Sequence, residues 1–443
     1  MTYDVRAAVR EGDMSAFQIV AVSICMAINM VDGFDVLAIA FTGPLIAEEW
    51  DLDPASLGAL FSSGIAGMML GSLFISPFAD MIGRRAVVLI CLGIVTVGMM
   101  LSGISQSVWE LGAYRVLTGL GIGGLLSSIN TIVVEYSSYK RKDLGVAWMA
   151  VGYPIGATIG GIISVYLIAQ FGWRSVFVFG GLVSLALIPL VMVRLPESLD
   201  FLIIKRPANA LARMNLLLRK MSRNEIDALP EIHDAQESAA TSALSVFDRA
   251  FFARTALICI AYFTVMLSFY FVLNWTPKVL VDRGLSLELG ISGSILMNVG
   301  GIVGGMLLGF YTARWGLKEM ASYFMVALFF AILAFGFTGT NLPLLLILTL
   351  TIGFFSIGSI VSLYAIMGAA YPVRIRNTGT GLALGLGRLG AMFGPYLGGV
   401  LIAAEWSAPA YCLVLGAPVL IAALVVRRIP LLFTAKGASV SAA

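Results

Sequence analysis

The chain is short of charge. Aspartate, glutamate, lysine and arginine make up only 12% of its 443 residues, whereas hydrophobic residues make up 59%. Soluble domains carry about 25% charged and about 45–50% apolar residues. The composition therefore excludes an ordinary water-soluble core and indicates an integral membrane protein. The net charge of +3 is small and spread along the chain, so we expect no nucleic-acid partner.

Cysteine and histidine are scarce too. The four cysteines lie singly within apolar runs, so we expect neither a disulfide framework nor a metal site. The lone histidine, His233, falls in a polar segment and is expected to be a solvated loop residue. A proton carried through this chain would therefore need a carboxylate. We expect no cofactor and no enzymatic activity.

Long apolar runs are what the sequence has instead. Twelve of them are long enough to cross a bilayer as helices. They cover residues 17–41, 56–79, 86–106, 110–135, 144–169, 173–193, 255–277, 288–312, 319–339, 343–370, 378–403 and 407–426. We predict an N-terminal six-helix bundle over 1–193 and a C-terminal bundle with a cytoplasmic tail over 255–443. A cytoplasmic loop with a surface helix is predicted between them, over 194–254.

Glycines and basic residues add symmetry and orientation to this pattern. Gly67 and Gly71 of the second span recur as Gly300 and Gly304 in the eighth. Parallel six-helix repeats around a central site are an architecture of secondary transporters. We predict an all-α membrane protein with twelve transmembrane helices in two pseudo-symmetric bundles. Most of the 28 lysines and arginines fall on the side of the N-terminus, which predicts cytoplasmic termini.

Two carboxylates stand inside the first span. Asp32 and Asp35 are the only acids well inside any span. An ionised aspartate near the bilayer centre costs roughly 2.5–3.5 kcal/mol, so such residues face a water-filled cavity or a partner charge. A carboxyl that changes its partner between two states can take up and release a proton. Both aspartates are therefore predicted to couple proton movement to transport.

Two arginines also lie inside spans. Arg388 is near the middle of the eleventh span and cannot usefully lose its proton, so it needs a carboxylate from Asp32, Asp35 or the substrate. Arg115 lies near the outer end of the fourth span. It either extends to the outer surface or faces the cavity and pairs with an aspartate or an anionic substrate. Both arginines are predicted to bind substrate.

Aromatic and polar residues near prolines provide further substrate-binding candidates. Tyr270, Asn274 and Trp275 lie where the seventh span is expected to end, near Pro277. Tyr153 stands where a proline is expected to break the fifth span. One of these rings could stack on a planar substrate. Rings that face lipid or the interface are the alternative.

Charged residues at the cytoplasmic edge provide the predicted gate. Asp80, Arg84 and Arg85 follow the glycines of the second span and could bond helix ends of the other half as a latch. An ordinary basic loop is the alternative. Glu135 ends the fourth span, where it acts in an ion network or directly in transport. Arg376 stands at the cytoplasmic edge of the eleventh span.

The loop between the second and third spans, which contains Asp80, Arg84 and Arg85, resembles a motif of the major facilitator superfamily, G-x-x-x-D-R-x-G-R-R. Asp80, Gly83, Arg84 and Arg85 match that motif, whereas Met81 replaces its usual arginine. The second-half copy has Ala313 in place of the aspartate. This departure leaves open whether the second latch is weaker or differently built.

A narrower resemblance is to the aromatic acid:proton symporter family, whose members import 4-hydroxybenzoate, protocatechuate and benzoate. The matching pieces are Asp32-Gly33-Phe34-Asp35, the Arg115 helix that ends at Glu135-Tyr136, Leu195-Pro196-Glu197-Ser198, Asn274-Trp275-Thr276-Pro277 and the Arg376/Arg388 pair. The resemblance implies transport roles for Asp32, Asp35, Arg115, Glu135, Arg376 and Arg388. It also implies a proton-coupled importer of an aromatic acid anion in a bacterial inner membrane. We expect the importer to be monomeric.

Three other functions are weighed against this one. The main rival is a proton symporter for muconate or another carboxylate. A drug:proton antiporter is disfavoured because the fifth span lacks the G-x-x-x-G-P-x-x-G-G pattern of such exporters. A membrane receptor is disfavoured because the loop over 194–254 is too short for a soluble signalling domain.

Overall fold

The chain forms long helices. A computed structural model describes residues 9, 13–138, 142–207, 209–230, 249–371 and 373–431. Within these ranges there are twelve helices that are long and apolar enough to cross a membrane, and there is no β-strand. The predicted all-α membrane fold is therefore confirmed. His233 lies outside the described residues.

Fifteen α-helices are assigned in the described part of the chain. They are α1 (Ala16–Glu49), α2 (Pro54–Phe74), α3 (Ala79–Ile82), α4 (Arg84–Gly103), α5 (Val108–Tyr136), α6 (Lys142–Phe171), α7 (Arg174–Arg194), α8 (Leu199–Lys205), α9 (Ala210–Lys220), α10 (Arg249–Asp282), α11 (Leu287–Trp315), α12 (Leu317–Phe337), α13 (Leu342–Ala370), α14 (Val373–Ala403) and α15 (Ala408–Arg428). The three shortest are α3, α8 and α9, and none of these is long enough to cross a bilayer.

Prolines do not end these helices, contrary to the sequence-based prediction. Helix α6 continues through Pro154 to Phe171, and α10 continues through Pro277 to Asp282. Helix α1 likewise includes Pro44 and extends well beyond its predicted end. A proline removes only one backbone N–H, and in membrane helices neighbouring groups satisfy the carbonyl that this leaves. The predicted break at Pro154 and the predicted end near Pro277 are therefore wrong.

The chain divides into two compact units. Unit 1 comprises Met1–Val36, Gly67–Ile159 and Arg174–Asp234; unit 2 comprises Leu37–Ala66, Gly160–Trp173 and Ala235–Ala443. In unit 1, the glycines of α2 lie directly against the backbone of α5. A Cβ at Gly67 or Gly71 would be 2.1 Å from the carbonyl oxygen of Val116 or Leu120, respectively. Only glycine allows this approach.

Unit 2 contains the same contact at the repeated glycines. A Cβ at Gly300 would be 2.1 Å from the Leu350 carbonyl oxygen, and one at Gly304 would be 2.0 Å from that of Phe354. Helix α13 makes the reciprocal contact through Gly353, where a Cβ would be 1.8 Å from the Met297 carbonyl oxygen of α11. The glycine repeat in the sequence thus corresponds to the same close helix packing in each unit.

The polar segment after α7 folds onto unit 1. Ser198 precedes α8 as its N-cap, and its hydroxyl accepts the backbone N–H of Phe201 at 3.1 Å. Helix α9 covers most of the predicted surface helix, and its Met214 and Leu218 join the buried apolar cluster that includes Ile129 of α5. These two short helices therefore belong to the packed body of unit 1.

The close packing of α11 against α13 predicts the effect of one methyl group. We expect Gly353→Ala to lower the melting temperature of the detergent-purified protein by several degrees, because overpacking a tight contact costs about 1–3 kcal/mol. Gly309→Ala, on α11, is the matched control, since a Cβ there would meet no atom within 4 Å. Equal melting temperatures for the two variants, measured by intrinsic fluorescence, would contradict this account.

Candidate functional site

A buried ion pair joins α1 to α5 in unit 1. Arg115 donates from Nη1 to Asp35 Oδ1 at 2.6 Å and from Nη2 to Asp35 Oδ2 at 3.0 Å. Nη2 also donates to the backbone carbonyl oxygen of Asp35 at 3.0 Å. The two side chains are only 3% and 1% exposed. A two-pronged contact of this kind is among the strongest pairings available to a guanidinium.

Apolar groups surround the Arg115 guanidinium. Its Nη1 lies 3.4 Å from the Met99 sulfur, and its Cζ lies 5.7 Å from the centre of the Phe177 ring. Since the whole residue is buried, the interpretation in which Arg115 extends to the surface is wrong. The alternative, pairing with an aspartate of the first span, is what the structure shows.

Asp32 lies one turn before Asp35 on α1 and is 4% exposed. Between them, Gly33 lets α6 approach closely, since a Cβ there would be 2.0 Å from the Tyr153 carbonyl oxygen. The two aspartates and the half-buried Tyr153 therefore come from one tight crossing of α1 and α6. The structure brings together the three sequence-predicted residues at this crossing.

A second polar cluster lies in unit 2. The hydroxyls of Tyr262 on α10 and Tyr364 on α13 form a hydrogen bond of 3.1 Å. Their ring centres are 5.9 Å apart, at an interplanar angle of 40°. Gly387, the residue before Arg388 on α14, packs against the Tyr262 ring, since a Cβ there would be 2.1 Å from a ring carbon. Arg388, on α14, is half-buried.

Tyr262 and Tyr364 were not among the site residues predicted from the sequence, whereas Tyr270 was. Tyr262 and Tyr270 are eight residues apart on α10, a spacing that places both near one face of a helix. That spacing could have indicated Tyr262. Tyr364 is more than one hundred residues away in the chain, and no local pattern indicates that it meets Tyr262.

Asn274 and Trp275 are almost completely buried, at 1% and 2% exposure. The Asn274 side-chain amide donates to the Tyr270 carbonyl oxygen at 2.9 Å, within the same helix. The Trp275 indole donates to the Pro395 carbonyl oxygen at 2.9 Å, and its ring packs edge-on against Phe61 at 5.4 Å. The protein backbone therefore engages both polar groups, and contact with a ligand stays a prediction for them.

Four of the predicted gating residues, Asp80, Arg84, Arg85 and Glu135, lie in unit 1. Glu135 accepts from the Ser198 hydroxyl at 2.9 Å and from the Leu199 backbone N–H at 2.7 Å. The acid thus caps the start of α8, where a negative charge is stabilised. Asp80 of α3 forms an ion pair of 2.6 Å with Arg84, the first residue of α4. A latch that reaches the other half stays a prediction.

The Pro-Glu-Ser piece makes further contacts in this region. The Arg85 backbone N–H donates to Glu197 Oε1 at 3.1 Å, and the Tyr136 hydroxyl donates to the Glu197 carbonyl oxygen at 2.7 Å. The Arg85 side chain also donates to the Met192 carbonyl oxygen. Glu197 and Ser198 thus join these helix ends, a role that their position in the sequence does not indicate.

Two remaining expectations concern Arg376 and metal ions. Arg376 belongs to α14, and its side chain lies outside the described part of the structure. The described residues contain no group of three or more histidine, cysteine, aspartate or glutamate side chains that could hold a metal.

Comparison with known proteins identifies the family. The chain matches the Major Facilitator Superfamily over residues 24–340 and 297–438. The 4-hydroxybenzoate transporter PcaK of Acinetobacter baylyi is 31% identical over 410 residues, which cover 91% of this chain and 89% of that protein. A gallate transporter of Pseudomonas putida is 30% identical over 428 residues, covering 96% and 94%. A benzoate transport protein of Acinetobacter baylyi is 30% identical, covering 85% and 82%.

Solved structures agree on the fold. The xylose transporter XylE from E. coli, in an inward open conformation, superposes with a TM-score of 0.74 at 16% identity, covering 95% of this chain and 98% of that one. The sequence and structure matches are to membrane transporters, so the protein is a transporter rather than an enzyme. Twelve helices that can cross a membrane and a family match over most of its length place the chain in the Major Facilitator Superfamily.

Proposed function

We propose that the protein imports a hydroxybenzoate-like aromatic carboxylate together with a proton, by alternating access. The relatives named above transport 4-hydroxybenzoate, gallate or benzoate, and they align with this chain over most of its length. The proposal places the protein in the cytoplasmic membrane of a bacterium. We also propose that it acts as a monomer, because one chain supplies both polar clusters.

The position of Arg388 carries the proposal. Gly381, Gly385 and Arg388 follow the spacing of one helix face, and a Cβ at either glycine would meet no atom within 4 Å. The face of α14 that carries Arg388 therefore has open space at both glycines. A charge facing lipid at this depth would be costly, so this face suits an aqueous path. A substrate carboxylate is the natural partner for a guanidinium there.

Asp32 is the proposed proton carrier. Both carboxylate oxygens of Asp35 already accept from Arg115, which keeps its positive charge. Protonating Asp35 would therefore leave a buried guanidinium without its counter-charge. Breaking a buried pair in this way costs about 3–5 kcal/mol. Asp32 is buried one turn away, and its protonation leaves that pair intact.

The proposed cycle follows from these assignments. While the carrier is open to the outside, Asp32 takes up a proton and Arg388 binds the substrate carboxylate. Two charges are thereby compensated before the carrier changes access. Burying either charge uncompensated would be costly. Once the carrier is open to the inside, Asp32 releases its proton and the acid anion leaves.

The distribution of basic residues gives the proposed orientation. A cytoplasmic N-terminus puts most lysines and arginines inside, and an even number of crossings returns the C-terminus to the same side. We expect green fluorescent protein fused to the C-terminus to fluoresce, because it folds in the cytoplasm. Alkaline phosphatase at the same point should be inactive. An active phosphatase fusion would refute the assigned orientation.

Uptake by whole cells tests the proposed substrate class. Cells that express the protein should accumulate labelled 4-hydroxybenzoate above the level of vector controls, and a protonophore should abolish the accumulation. Unlabelled muconate should compete poorly, because it carries two carboxylates and no ring. Accumulation of muconate but not of aromatic acids would favour the rival carboxylate symporter. Efflux driven by the proton gradient would favour an antiporter.

Replacement of Asp32 tests proton coupling. We expect Asp32→Asn to lose accumulation against a gradient yet to retain exchange of labelled for unlabelled substrate across preloaded vesicles, since exchange needs no net proton movement. Asp53→Asn is the control, because Asp53 lies in the loop before α2, where asparagine can accept the same backbone N–H groups. Uphill accumulation at the wild-type level by Asp32→Asn would remove Asp32 from this role.

Asp35 should behave differently from Asp32. Asp35→Asn leaves the Arg115 charge buried, so it should lower both thermal stability and substrate exchange. The double variant Asp35→Asn/Arg115→Met removes the charge as well. It should therefore be more stable than Asp35→Asn alone when both are measured in detergent.

A further inference from the structure

The polar cluster of unit 2 has one buried and one exposed tyrosine. Tyr262 is 5% exposed, whereas Tyr364 is 48% exposed. Their hydrogen bond therefore connects the packed interior of the unit with its open side. Gly387, beside Arg388, makes this arrangement possible, because a Cβ there would be 2.1 Å from a carbon of the Tyr262 ring.

Open positions for a Cβ occur on two helices near this tyrosine pair. On α14, Gly387 and Gly390 pack against α10, whereas Gly381 and Gly385 meet no atom within 4 Å. On α13, Gly368 lies one turn after Tyr364 and is also without a neighbour for a Cβ. Bare backbone thus lies one turn from Tyr364 on α13 and one turn from Arg388 on α14. Such a surface suits a flat ring.

The chemistry of the two polar groups differs. A guanidinium only donates hydrogen bonds, which matches a carboxylate, whereas a hydroxyl both donates and accepts. The bond between the two tyrosines uses one of their two O–H groups. A phenol from a ligand can therefore extend this chain of hydroxyls, and each added bond strengthens its neighbours.

From this arrangement we propose that the Tyr262–Tyr364 hydroxyl pair recognises a ring hydroxyl of the substrate while Arg388 holds its carboxylate. The inference rests on the proposed transport of aromatic carboxylates and goes beyond it by assigning the basis of selectivity. The favoured substrates are hydroxylated benzoates rather than benzoate itself. A site built to bond a hydroxyl discriminates strongly against the analogue that lacks it.

Competition measurements test this selectivity. Unlabelled 4-hydroxybenzoate and benzoate each compete with labelled 4-hydroxybenzoate for uptake by the wild type, Tyr262→Phe and Tyr364→Phe. We expect the wild type to bind the hydroxylated acid about tenfold more tightly. Either replacement should bring the ratio of the two inhibition constants close to one by weakening 4-hydroxybenzoate alone. Tyr323 lies on α12 beside Arg427 of α15, and Tyr323→Phe should keep the wild-type ratio.

Binding to purified protein covers variants that no longer transport. Calorimetric titration with the same two acids gives the same ratio without translocation. If Tyr262→Phe fails to fold, the exposed Tyr364→Phe removes the same hydrogen bond and decides the question. Loss of affinity for both acids alike would assign the tyrosines to the carboxylate or to packing and overturn the proposal. An unchanged ratio, or a wild type that does not discriminate, would overturn it too.

Gly385 provides an independent test of the ligand's location. Gly385→Ala places a methyl group in the open space without touching the protein, so the melting temperature should equal that of Gly309→Ala. Affinity for both acids should nevertheless fall several-fold. Wild-type affinity in this variant would show that the ligand does not lie on this face. A wild type that accumulates no aromatic acid would instead refute the proposed function itself.

Discussion

The fold depends on helices that touch at their backbones. In a bilayer, moving an apolar side chain from lipid into the protein interior gains little hydrophobic free energy. Helices therefore associate through close packing and hydrogen bonds. The glycines of α2, α11 and α13 bring each helix onto a carbonyl of its neighbour. The crossing of α1 and α6 at Gly33 uses the same contact, and it fixes the helix that carries both aspartates.

Charge is placed sparingly on this framework. In unit 1, Arg115 and Asp35 neutralise each other inside an apolar shell of Met99 and Phe177. At the ends of the helices, Glu135 and Glu197 accept hydrogen bonds from backbone N–H groups. Fixed acids of this kind hold helix ends together. They leave Asp32 and Arg388 as the groups whose proposed role requires a change of partner.

The sequence allows the all-α membrane fold with its twelve spans to be predicted, but several helix ends and much of the site could not be predicted from it. Hydropathy is a local property, and it located all twelve spans. The effect of Pro154 and Pro277 depends on neighbouring helices, which explains why the predicted break at Pro154 and the predicted helix end near Pro277 are wrong. The choice of Asp35 over Asp32 as the partner of Arg115 depends on how α5 is rotated against α1. The sequence shows only that Asp32 and Asp35 are three residues apart on one helix, and this spacing does not indicate which of them faces Arg115.

The arrangement of Arg115 with Asp35 has an electrical consequence. Because this pair is neutral, only Asp32 and Arg388 contribute charge to the proposed cycle. In the empty carrier the negative charge of Asp32 and the positive charge of Arg388 sum to zero. In the loaded carrier the proton neutralises Asp32 and the monovalent acid anion neutralises Arg388, so the sum is again zero. On this assignment both reorientation steps are electroneutral. The pH difference across the membrane would then drive import, and the membrane voltage would contribute nothing to it.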